Sequence, residues 1–385
     1  TTVTTLAESV YAKLYDVNSD GTGETIVFGS TKNFTYTGTM ITDYGDVKNL
    51  ETDTGLWRNN TNITTAVIKD NIYPTTTYAW FNGLTNLTTI TNIEKLDTSN
   101  VTKMTYMFYN CSKLSSIDVT NFNTTNVTSM YAMFLGCSGM TSIDVSNFST
   151  NNVRNMYGMF NGCSGLTSID VSNFNTAKVT SMYSMFKGCS KLGTINLSNF
   201  NTSSVTTMRS MFENCTSLTS LTISSFNTAK VNNMMYMFEN CSALTSLSVS
   251  SFNTSIVTTM YQMFYNCSKL TSLDLSSFNT GAVTTMQDMF TRCTKLQTVT
   301  LGANFKWVGT NGYLPAPSST YITNADGYWY STVTNPGEIY TPAEVASLRT
   351  SAGVADTLTA VATGVYAKLY DVDSNGTGET IVFGN

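Results

Sequence analysis

The fold of this chain is decided by a stretch that runs from Cys267 to Cys293 and reads CSKLTSLDLSSFNTGAVTTMQDMFTRC. The same pattern recurs from about Leu87 to Leu301, and every cysteine of the chain occupies one position in it. The cysteines follow one another at intervals of 26 residues: Cys111, Cys137, Cys163, Cys189, Cys215, Cys241, Cys267 and Cys293. A fixed period of this length is the signature of a solenoid, in which each repeat forms one coil of a stack.

Within each coil the apolar positions form two local patterns. The first runs from Leu270 to Leu275 as L-x-x-L-x-L, which matches the strand signature of leucine-rich repeats. The second runs from Val283 to Cys293 with the three-and-four spacing of a helical turn. The F-N-T segment at 278–280 lies between them and is typical of a turn. We therefore predict an α/β-type repeat solenoid, leucine-rich-repeat-like, with one short strand and one short helical segment per coil.

These motifs resemble those of the BspA-like leucine-rich-repeat surface proteins. The likeness is carried by an M-F-x-x-C-S-x-L step and an F-N-T-x-x-V-T-x-M turn, as in Leu166–Cys189 and Leu270–Cys293, and it covers the middle of the chain. The resemblance implies an extracellular, mostly bacterial surface protein that serves adhesion or partner binding and has no catalytic centre. Where many leucine-rich repeats carry asparagine, this sequence has phenylalanine: Phe122, Phe148, Phe174, Phe200, Phe226, Phe252 and Phe278.

Departures from the period predict four segments. They are a β-rich N-terminal cap with a hairpin at 1–78, the solenoid at 79–301, a C-terminal cap with a short helix at 302–350, and a linker with the start of a second N-terminal hairpin at 351–385. Caps are expected because the end coils of a solenoid would otherwise expose the core.

The N-terminal cap is predicted to be built from strands. Val10–Val17 and Glu24–Gly29 are strand-like runs that flank an Asn/Asp/Gly turn, which predicts a hairpin. Further strands are predicted at Phe34–Thr42 and Thr65–Ile68. In the coil that follows, Trp80-Phe81 replaces the Met-Phe step.

The C-terminal cap is predicted from its aromatic residues and from one helix signal. Phe305 and Trp307 are expected to cover the last coil. The segment Thr341–Thr350 starts with an N-cap threonine followed by proline at the first helical position, which predicts a short helix.

The chain carries the same hairpin sequence twice. Val365–Gly384 repeats Val10–Gly29 almost letter for letter, at an offset of 355 residues. Two interpretations follow: a tandem array of large units that assemble into a fibre or head to tail, or one molecule with matching hairpins that pair with neighbouring copies.

Composition restricts the classes of function. The net charge is −5, charged residues make up 12% of the chain and histidine is absent, which argues against nucleic acid as a partner. No apolar run reaches the roughly 18 residues of a membrane span. Acid–base catalysis has no histidine to use, and no phosphate loop or nucleophile motif is present, so we expect no enzyme.

The cysteine column admits three interpretations. Coils are expected to stack at the strand spacing of about 4.7–5 Å, which brings successive thiols within reach of a disulfide. Stacked side chains run parallel, however, and cysteine is readily buried, which favours reduced thiols in the core. A metal site would lack both a C-x-x-C pair and histidine, and no other cofactor is expected.

Both hairpin loops carry an acidic turn spaced like the first half of a calcium loop. The candidate ligands are Asp16, Asn18, Asp20 and Glu24 in the first loop, and Asp371, Asp373, Asn375 and Glu379 in the second. The twelfth positions are valines, and no helices are predicted to flank the loops, so a plain Asn/Asp/Gly turn is the other interpretation.

Two columns of outward positions are the candidate ligand face. The first follows the strand and contains Asp118, Asp144, Asp170, Asn196 and Asp274. The second follows the first methionine of each coil and contains Tyr131, Tyr157, Tyr183, Arg209 and Tyr261. Aromatic residues with arginine are typical of interfaces, whereas the carboxylates would favour a cation or a basic partner.

These observations predict a non-catalytic extracellular surface scaffold or adhesin. Its partner would be a protein or glycan on another cell, or a neighbouring copy of the chain. Two alternatives remain open: binding of a regular solid such as ice or crystalline polysaccharide through rows of serine and threonine, and a mainly mechanical fibre unit.

Overall fold

The computed structural model describes residues 9–51, 55–309, 313–333, 338–348, 353, 355–360, 366–370 and 380–384. The chain divides into two compact units, residues 1–230 and 231–385. In the described residues, helical structure is confined to α1 (Pro342–Leu348) and a 3-10 turn at Ile93–Lys95. The described part of the chain is therefore built almost entirely from strands and turns, and the predicted α/β class is wrong.

The first unit begins with a mixed sheet. Its strands are β1 (Tyr11–Asp16), β2 (Thr25–Gly29), β3 (Thr39–Asp46), β4 (Thr65–Ile68) and β5 (Thr89–Thr91), in the order β3-β1-β2-β4-β5. β1 and β2 form the predicted antiparallel hairpin, and β4 lies where a strand was predicted. The strand predicted from residue 34 begins only at Thr39.

The hairpin is joined to the coils through parallel strands. β2 pairs in parallel with β4, and β4 pairs in parallel with β5, which is the strand of the first coil. The Phe28 ring stacks on Trp80 at 4.8 Å between ring centroids, and Phe81 stacks on Phe108 at 5.2 Å. Trp80-Phe81 thus replaces the Met-Phe step as predicted, and the hairpin covers the first coil.

Coils stack in register at the predicted period. Each residue of one backbone column pairs in parallel with the residue 26 positions on, in the series Lys103, Ser129, Asn155, Ser181 and Thr207 of the first unit and Asn233, Thr259 and Thr285 of the second. The strand segment also pairs in parallel, β6 (Thr194–Asn196) with β7 (Ser220–Thr222), and β8 (Ser272–Leu275) with β9 (Thr298–Leu301). Each unit is therefore built as a solenoid of 26-residue coils.

The helical segment predicted for each coil is wrong. Met107 N–H donates to the Met104 carbonyl at 3.3 Å, and Cys111 N–H donates to the Phe108 carbonyl at 3.2 Å, so the segment consists of two successive β-turns. The third residue of each turn has positive φ, +58° at Tyr106 and +55° at Asn110, which a right-handed helix cannot contain.

Alternate backbone groups of these turns bond to the next coil. Tyr106 N–H donates to the Tyr131 carbonyl at 3.0 Å, and Phe108 N–H donates to the Met133 carbonyl at 2.8 Å. The turns of successive coils therefore form a ladder like that of a parallel sheet. This ladder, rather than a helix, fixes the direction of every side chain in the segment.

The third residue of the second turn is glycine or asparagine in nearly every coil. The column is Asn110, Gly136, Gly162, Gly188, Asn214, Asn240, Asn266 and Arg292, all with positive φ. Glycine and asparagine adopt the left-handed conformation at the lowest cost.

We expect Gly162→Ala to lower the free energy of unfolding by about 1 kcal/mol, because alanine is strained at φ +74°. Gly193→Ala is the matched control, since its φ is not positive and a methyl group there would meet no atom within 4 Å. Gly162→Asn should retain stability. Urea denaturation followed by circular dichroism measures all three, and equal losses for the two alanine variants would contradict the assignment.

Two polar columns tie the coils together, a buried one of threonines and an exposed one of asparagines. The Thr254 hydroxyl, in a fully buried side chain, donates to the Asn279 carbonyl and accepts from the Asn279 N–H, both at 2.8 Å. Asn173 Nδ2 donates to the carbonyls of Val145 and Phe148 at 3.0 and 2.9 Å. An asparagine ladder is therefore present, one residue before the phenylalanine column.

Thiols and phenyl rings form the core. Phe108, Phe134, Phe160, Phe186 and Phe212 stack with centroids 5.4–5.9 Å apart and ring planes within 8°. All eight cysteines are buried, which confirms that their column lies in the core, and none of them forms a disulfide in this structure. The Cys163 thiol donates to the Phe134 carbonyl of the preceding coil at 3.2 Å, so the column also satisfies backbone acceptors.

The last coil of the second unit is covered by a sheet. β10 (Trp329–Ser331), β11 (Ile339–Tyr340) and β12 (Asp356–Thr359) join β8 and β9 in the order β11-β10-β12-β9-β8, and β12 lies antiparallel on β9. The Trp307 ring contacts Phe290 at 5.9 Å between centroids. This arrangement hides the edge of β9, which would otherwise be free to pair with another chain.

The predicted helix is present as α1 and starts with a capping box. Glu344 N–H donates to the Thr341 hydroxyl at 3.2 Å, and Thr341 N–H donates to a Glu344 carboxylate oxygen at 2.7 Å.

The repeated hairpin is also present. β13 (Tyr366–Tyr370) and β14 (Thr380–Gly384) pair antiparallel in the register of β1 and β2, with Tyr366 opposite Gly384 as Tyr11 is opposite Gly29. The intervening loop, with the candidate calcium ligands Asp371, Asp373, Asn375 and Glu379, lies outside the described residues.

Candidate functional site

A row of half-buried aromatic side chains follows the first turn ladder of the first unit. We call it the tyrosine row, and its members are Tyr78, Tyr106, Tyr109, Tyr131, Tyr157, Tyr183 and Arg209. The Tyr131 and Tyr157 rings stack at 4.5 Å between centroids, and Tyr157 meets Tyr183 edge to face at 4.7 Å. The Arg209 guanidinium lies 5.3 Å from the Tyr183 ring centroid and continues the row with a cation–π contact.

The backbone under the row is fixed by the turn ladder. The carbonyls of Tyr131, Tyr157 and Tyr183 accept hydrogen bonds of 3.0, 2.7 and 2.9 Å from the preceding coil. A ring on such a backbone loses little conformational entropy when it binds a partner. The predicted column of Tyr131, Tyr157, Tyr183 and Arg209 is therefore brought together on one surface.

The row begins with a concave corner of three rings. Tyr106 meets Tyr109 at 5.4 Å and 90°, and it meets Tyr131 at 5.2 Å and 82°. A cavity of about 330 Å³ lies at this corner. It is lined by Asn59, Asn82, Tyr106, Tyr109, Tyr131, Ala132, Leu135 and Tyr157, and we call it the tyrosine pocket.

Two phenols of the row, Tyr131 and Tyr157, stay neutral over a wide range of pH. Burial, followed by the neighbouring Tyr106 hydroxyl, raises the pKa of Tyr131 well above its ordinary value. Burial also raises the pKa of Tyr157, with the nearby Tyr183 as the next cause. At neutral pH these hydroxyls can therefore both donate and accept hydrogen bonds.

Tyr261 lies in the second unit, where it repeats one part of this arrangement. Its ring meets Tyr236 edge to face at 5.3 Å and 88°, as Tyr131 meets Tyr106. Glu239 occupies the position that corresponds to Tyr109, so the third aromatic wall is replaced by a carboxylate.

The aspartate column is exposed and has a local role in each coil. Asp118 accepts from the N–H and the hydroxyl of Thr120 at 3.0 and 2.6 Å, and Asp144 accepts from Ser146 N–H at 2.9 Å. These hydrogen bonds lower the pKa of both carboxyl groups. Corresponding bonds from the residue two positions on are made to Asp170, Asn196 and Asp274. Each side chain thus stabilises the turn after its own strand segment.

The first hairpin loop brings together three of the four predicted calcium ligands. Carboxylate oxygens of Asp16, Asp20 and Glu24 lie within 4.8 Å of one another, and Asn18 Nδ2 donates to Asp20 at 3.0 Å. Oxygens on opposite sides of a calcium ion at 2.3–2.6 Å are about 5 Å apart, which fits this spacing. Glu24 Oε2 is buried and has no hydrogen-bond partner. Both Asp16 oxygens, however, already accept backbone N–H groups of the loop, which fits the plain turn equally well.

Calcium binding therefore stays a prediction, and a titration tests it. If the site has the affinity of extracellular calcium modules, about 0.1–1 mM, then about 10 mM Ca²⁺ should raise the free energy of unfolding by about 1.4–2.7 kcal/mol. Asp20→Ala is expected to remove this gain, whereas Asp274→Ala, an exposed turn aspartate of the second unit, should keep it. Melting curves with Ca²⁺ and with EDTA that coincide would contradict the prediction.

Six of the eight residues that line the tyrosine pocket, Ala132 and Leu135 among them, were not predicted from the sequence. Tyr106 and Tyr109 occupy columns that hold non-aromatic residues in most other coils, and Asn59 and Asn82 precede the regular period. The signal that could have found the two tyrosines is their spacing around the Met-Phe step of their own coil.

The stacked coils of one period define the class of protein: a repeat protein of the solenoid type, which carries an aromatic row on its first unit. Within the part of the chain that the structure describes, no helix combines the length and hydropathy needed to cross a membrane.

Comparison with known families agrees with this class. The family described as "Mycoplasma protein of unknown function, DUF285" matches residues 75–194, 129–243 and 220–310, which together cover more than half of the chain. The chain belongs to this family. No curated protein matches it.

One solved structure with some likeness is described as "Crystal structure of TLR13-ssRNA13 complex". It is 16% identical and has a TM-score of 0.25, and the match covers 68% of this chain and 43% of that one. The chain thus spans less than half the length of that protein, and the likeness is too slight to assign a fold or a ligand.

Proposed function

We propose that this chain is a non-catalytic extracellular binding scaffold, of the BspA-like surface type, that contacts a protein or a glycan through its tyrosine row. The observation that carries the proposal is the continuous row of rings from Tyr78 to Tyr183, extended by Arg209 and held on a hydrogen-bonded backbone.

The composition of the row suits recognition. Tyrosine and arginine are enriched among the residues that contribute most to binding, and a tyrosine ring offers apolar contact together with a hydroxyl for hydrogen bonding. Because the rings of the tyrosine row are only half-buried, part of each ring is available for contact with a partner.

Other features support a binding role over a catalytic one. The cysteine thiols are buried, and burial raises the pKa of Cys215 and Cys293 to about 12, so thiolate is scarce at neutral pH. The column carboxylates of Asp118 and Asp144 are engaged in turns instead of facing one another across a cleft.

The repeated hairpin supports an assembled form of this scaffold. β13 and β14 reproduce the register of β1 and β2, which in the first unit are flanked by β3 and β4. A tandem array, or head-to-tail association of copies on a cell surface, would give each hairpin such flanking strands. A fibre role is compatible with this proposal because the row repeats along the array.

Binding of a regular solid has weaker support. The Thr219 hydroxyl donates to the Gly193 carbonyl at 3.0 Å, and the Thr167 hydroxyl donates to the Thr141 carbonyl at 3.5 Å. These hydroxyls serve bonds between coils, which reduces their capacity to bind an ordered surface.

Alanine substitution of the row tests the proposal. A captured host protein or an arrayed glycan should lose affinity by about tenfold or more when Tyr157 and Tyr183 are replaced together by alanine, since each half-buried ring contributes about 1 kcal/mol or more at an interface. Tyr321→Ala is the matched control, because this tyrosine is 51% exposed and lies outside the row. Surface plasmon resonance gives the affinities.

The outcomes differ clearly. Binding that is lost in the double variant and kept in the Tyr321→Ala variant supports the proposal. An affinity that stays the same in the double variant would place recognition elsewhere on the chain.

A further inference from the structure

We infer that the tyrosine pocket takes a neutral sugar ring. The inference rests on the proposed function, because the pocket shares Tyr106, Tyr109, Tyr131 and Tyr157 with the tyrosine row. It goes further by naming the class of ligand and the part of the row that binds it.

The shape of the pocket suits a small cyclic ligand. Tyr106 stands nearly perpendicular to both Tyr109 and Tyr131, so the rings form a corner and not a flat surface. Ala132 lies between these aromatic walls, at φ +50° and with a side chain too small to fill the space. The volume of about 330 Å³ lies at the low end of the range of about 300–1,000 Å³ for small-molecule sites. One or two sugar rings fit such a volume, whereas a helix or strand of a protein partner does not.

The chemistry of the lining is neutral throughout. Its eight residues contain no Asp, Glu, Lys or Arg, and the raised pKa of Tyr131 and Tyr157 keeps their phenols uncharged. A phosphate or carboxylate ligand would find no cation among the lining residues to offset the loss of its hydration. Neutral hydroxyl groups cost less to desolvate, and they match the amides of Asn59 and Asn82 and the tyrosine hydroxyls.

The backbone holds the Asn59 amide beside the pocket. Asn59 N–H donates to the Asn82 carbonyl at 2.9 Å, and a Cβ at Gly83 would meet Asn59 Oδ1 at 1.9 Å, so this side chain lies directly against the glycine backbone. Amides beside aromatic faces suit a pyranose, because the rings can contact its C–H face and the amides can bond its hydroxyls.

The corresponding corner of the second unit has a different lining. There the Tyr236–Tyr261 pair has the same geometry as Tyr106–Tyr131, but Glu239 takes the place of Tyr109, so the lining is not neutral. Tyr109 is one of several side chains that differ between the two corners, since Gln262, Tyr265 and Gln287 occupy the positions of Ala132, Leu135 and Tyr157.

Saturation-transfer NMR on the full chain tests the inference with defined probes. The neutral probes are the methyl glycosides of glucose, galactose and mannose together with N-acetylglucosamine, and glucose 6-phosphate is the charged one. We expect transfer to at least one neutral probe, little transfer to the phosphate, and a loss of affinity by about tenfold in the Tyr109→Ala variant. This column holds Leu135, Asn161 and Lys187 in the next coils, so the backbone tolerates other side chains there.

Three further variants give the result its meaning. Tyr109→Phe should keep sugar binding because the ring remains, and Tyr321→Ala should keep it because Tyr321 lies outside both the tyrosine row and the pocket. Tyr261→Ala, the matched ring of the second unit, should also keep it. Absence of transfer to every neutral probe, or transfer unchanged in Tyr109→Ala, would overturn the inference. Partner binding that depends on Tyr157 and Tyr183 would then still support the proposed function, so the two failures are distinguishable.

Discussion

Replacing Phe160 with alanine is expected to lower the free energy of unfolding by about 3–5 kcal/mol, the usual cost of removing a buried phenyl ring. The side chain is fully buried and stacks on Phe134 at 5.7 Å and on Phe186 at 5.8 Å. Its loss removes two ring contacts at once and leaves a cavity between coils. Phe160 N–H donates to the Met185 carbonyl at 3.0 Å, and this hydrogen bond fixes the distance between the two coils. The coils therefore cannot move together to fill the cavity.

Two variants separate this effect from general sensitivity of the coil. Phe160→Leu keeps most of the volume and should cost less than about 1.5 kcal/mol. Tyr157→Ala, three residues away on the half-buried row, should cost about 1 kcal/mol or less. Urea denaturation followed by circular dichroism measures the three values. A loss below 1 kcal/mol for Phe160→Ala would contradict the stacked phenyl column.

The free energy of unfolding is expected to fall steeply above pH 9, because the buried cysteine thiols must lose their protons when the chain unfolds there. The thiol pKa is 9.0 in the unfolded chain, but burial raises the pKa of Cys215 and Cys293 to about 12. Burial also raises the pKa of Cys137, Cys163, Cys189 and Cys267 well above 9.0. Above pH 9 the unfolded chain therefore binds fewer protons than the folded chain, and stability falls as pH rises.

The size of this effect follows from the number of thiols. Each thiol contributes a loss of about 1.4 kcal/mol for every pH unit between its unfolded and folded pKa. Within one or two pH units, the summed loss from several thiols in one unit approaches the whole free energy of unfolding of an ordinary domain, about 5–15 kcal/mol. Below pH 8 the thiols are protonated in both states, and stability should be independent of pH on their account.

Removal of one thiol gives the control. Cys215→Ala should reduce the slope of stability against pH by about 1.4 kcal/mol per unit above pH 9, in addition to a fixed loss from the missing thiol bond to the Phe186 carbonyl at 3.1 Å. Urea denaturation between pH 7.5 and 10.5 in the presence of a phosphine reductant measures both. A stability that is constant across this range would show that the cysteines are not sealed in the core.

Much of the architecture could be predicted from the sequence because it depends on one period. A residue that recurs every 26 positions must occupy one column of the stack, and the bridges from Lys103 to Ser129 and from Ser129 to Asn155 follow directly. The hairpin of β1 and β2 and the helix that begins after Thr341 were equally predictable, because each has a local sequence signal.

The helical segment could not be recognised as two turns from apolar spacing. Met130, Met133, Phe134 and Cys137 recur at three and four residues in either structure, because a pair of successive four-residue turns also directs these positions inward. The signal that distinguishes the two structures is the column that holds asparagine or glycine in nearly every coil, as at Asn110 and Gly136, because these residues favour positive φ.

The candidate site was predictable only in part. The column from Tyr131 to Arg209 repeats at the common period, so comparison between coils exposes it. The pocket depends on Tyr106 and Tyr109, which occur together in one coil only, and on Asn59 and Asn82, which are brought to it by the fold. A combination of side chains that occurs in one coil cannot be recognised from the repeat pattern of all the coils.

The hydrogen bonds between coils repeat from one coil to the next. Within a unit, thiols donate to the coil before, as from Cys189 to the Phe160 carbonyl, while the buried threonines of the F-N-T segment donate to the coil after, as from Thr176 to the Asn201 carbonyl. Internal coils therefore offer their neighbours the same set of donors and acceptors on each side. Duplication or deletion of 26 residues, by unequal recombination in the gene, would leave these surfaces matched. Length can thus vary among descendants by whole coils, while a change of any other size breaks the register at once.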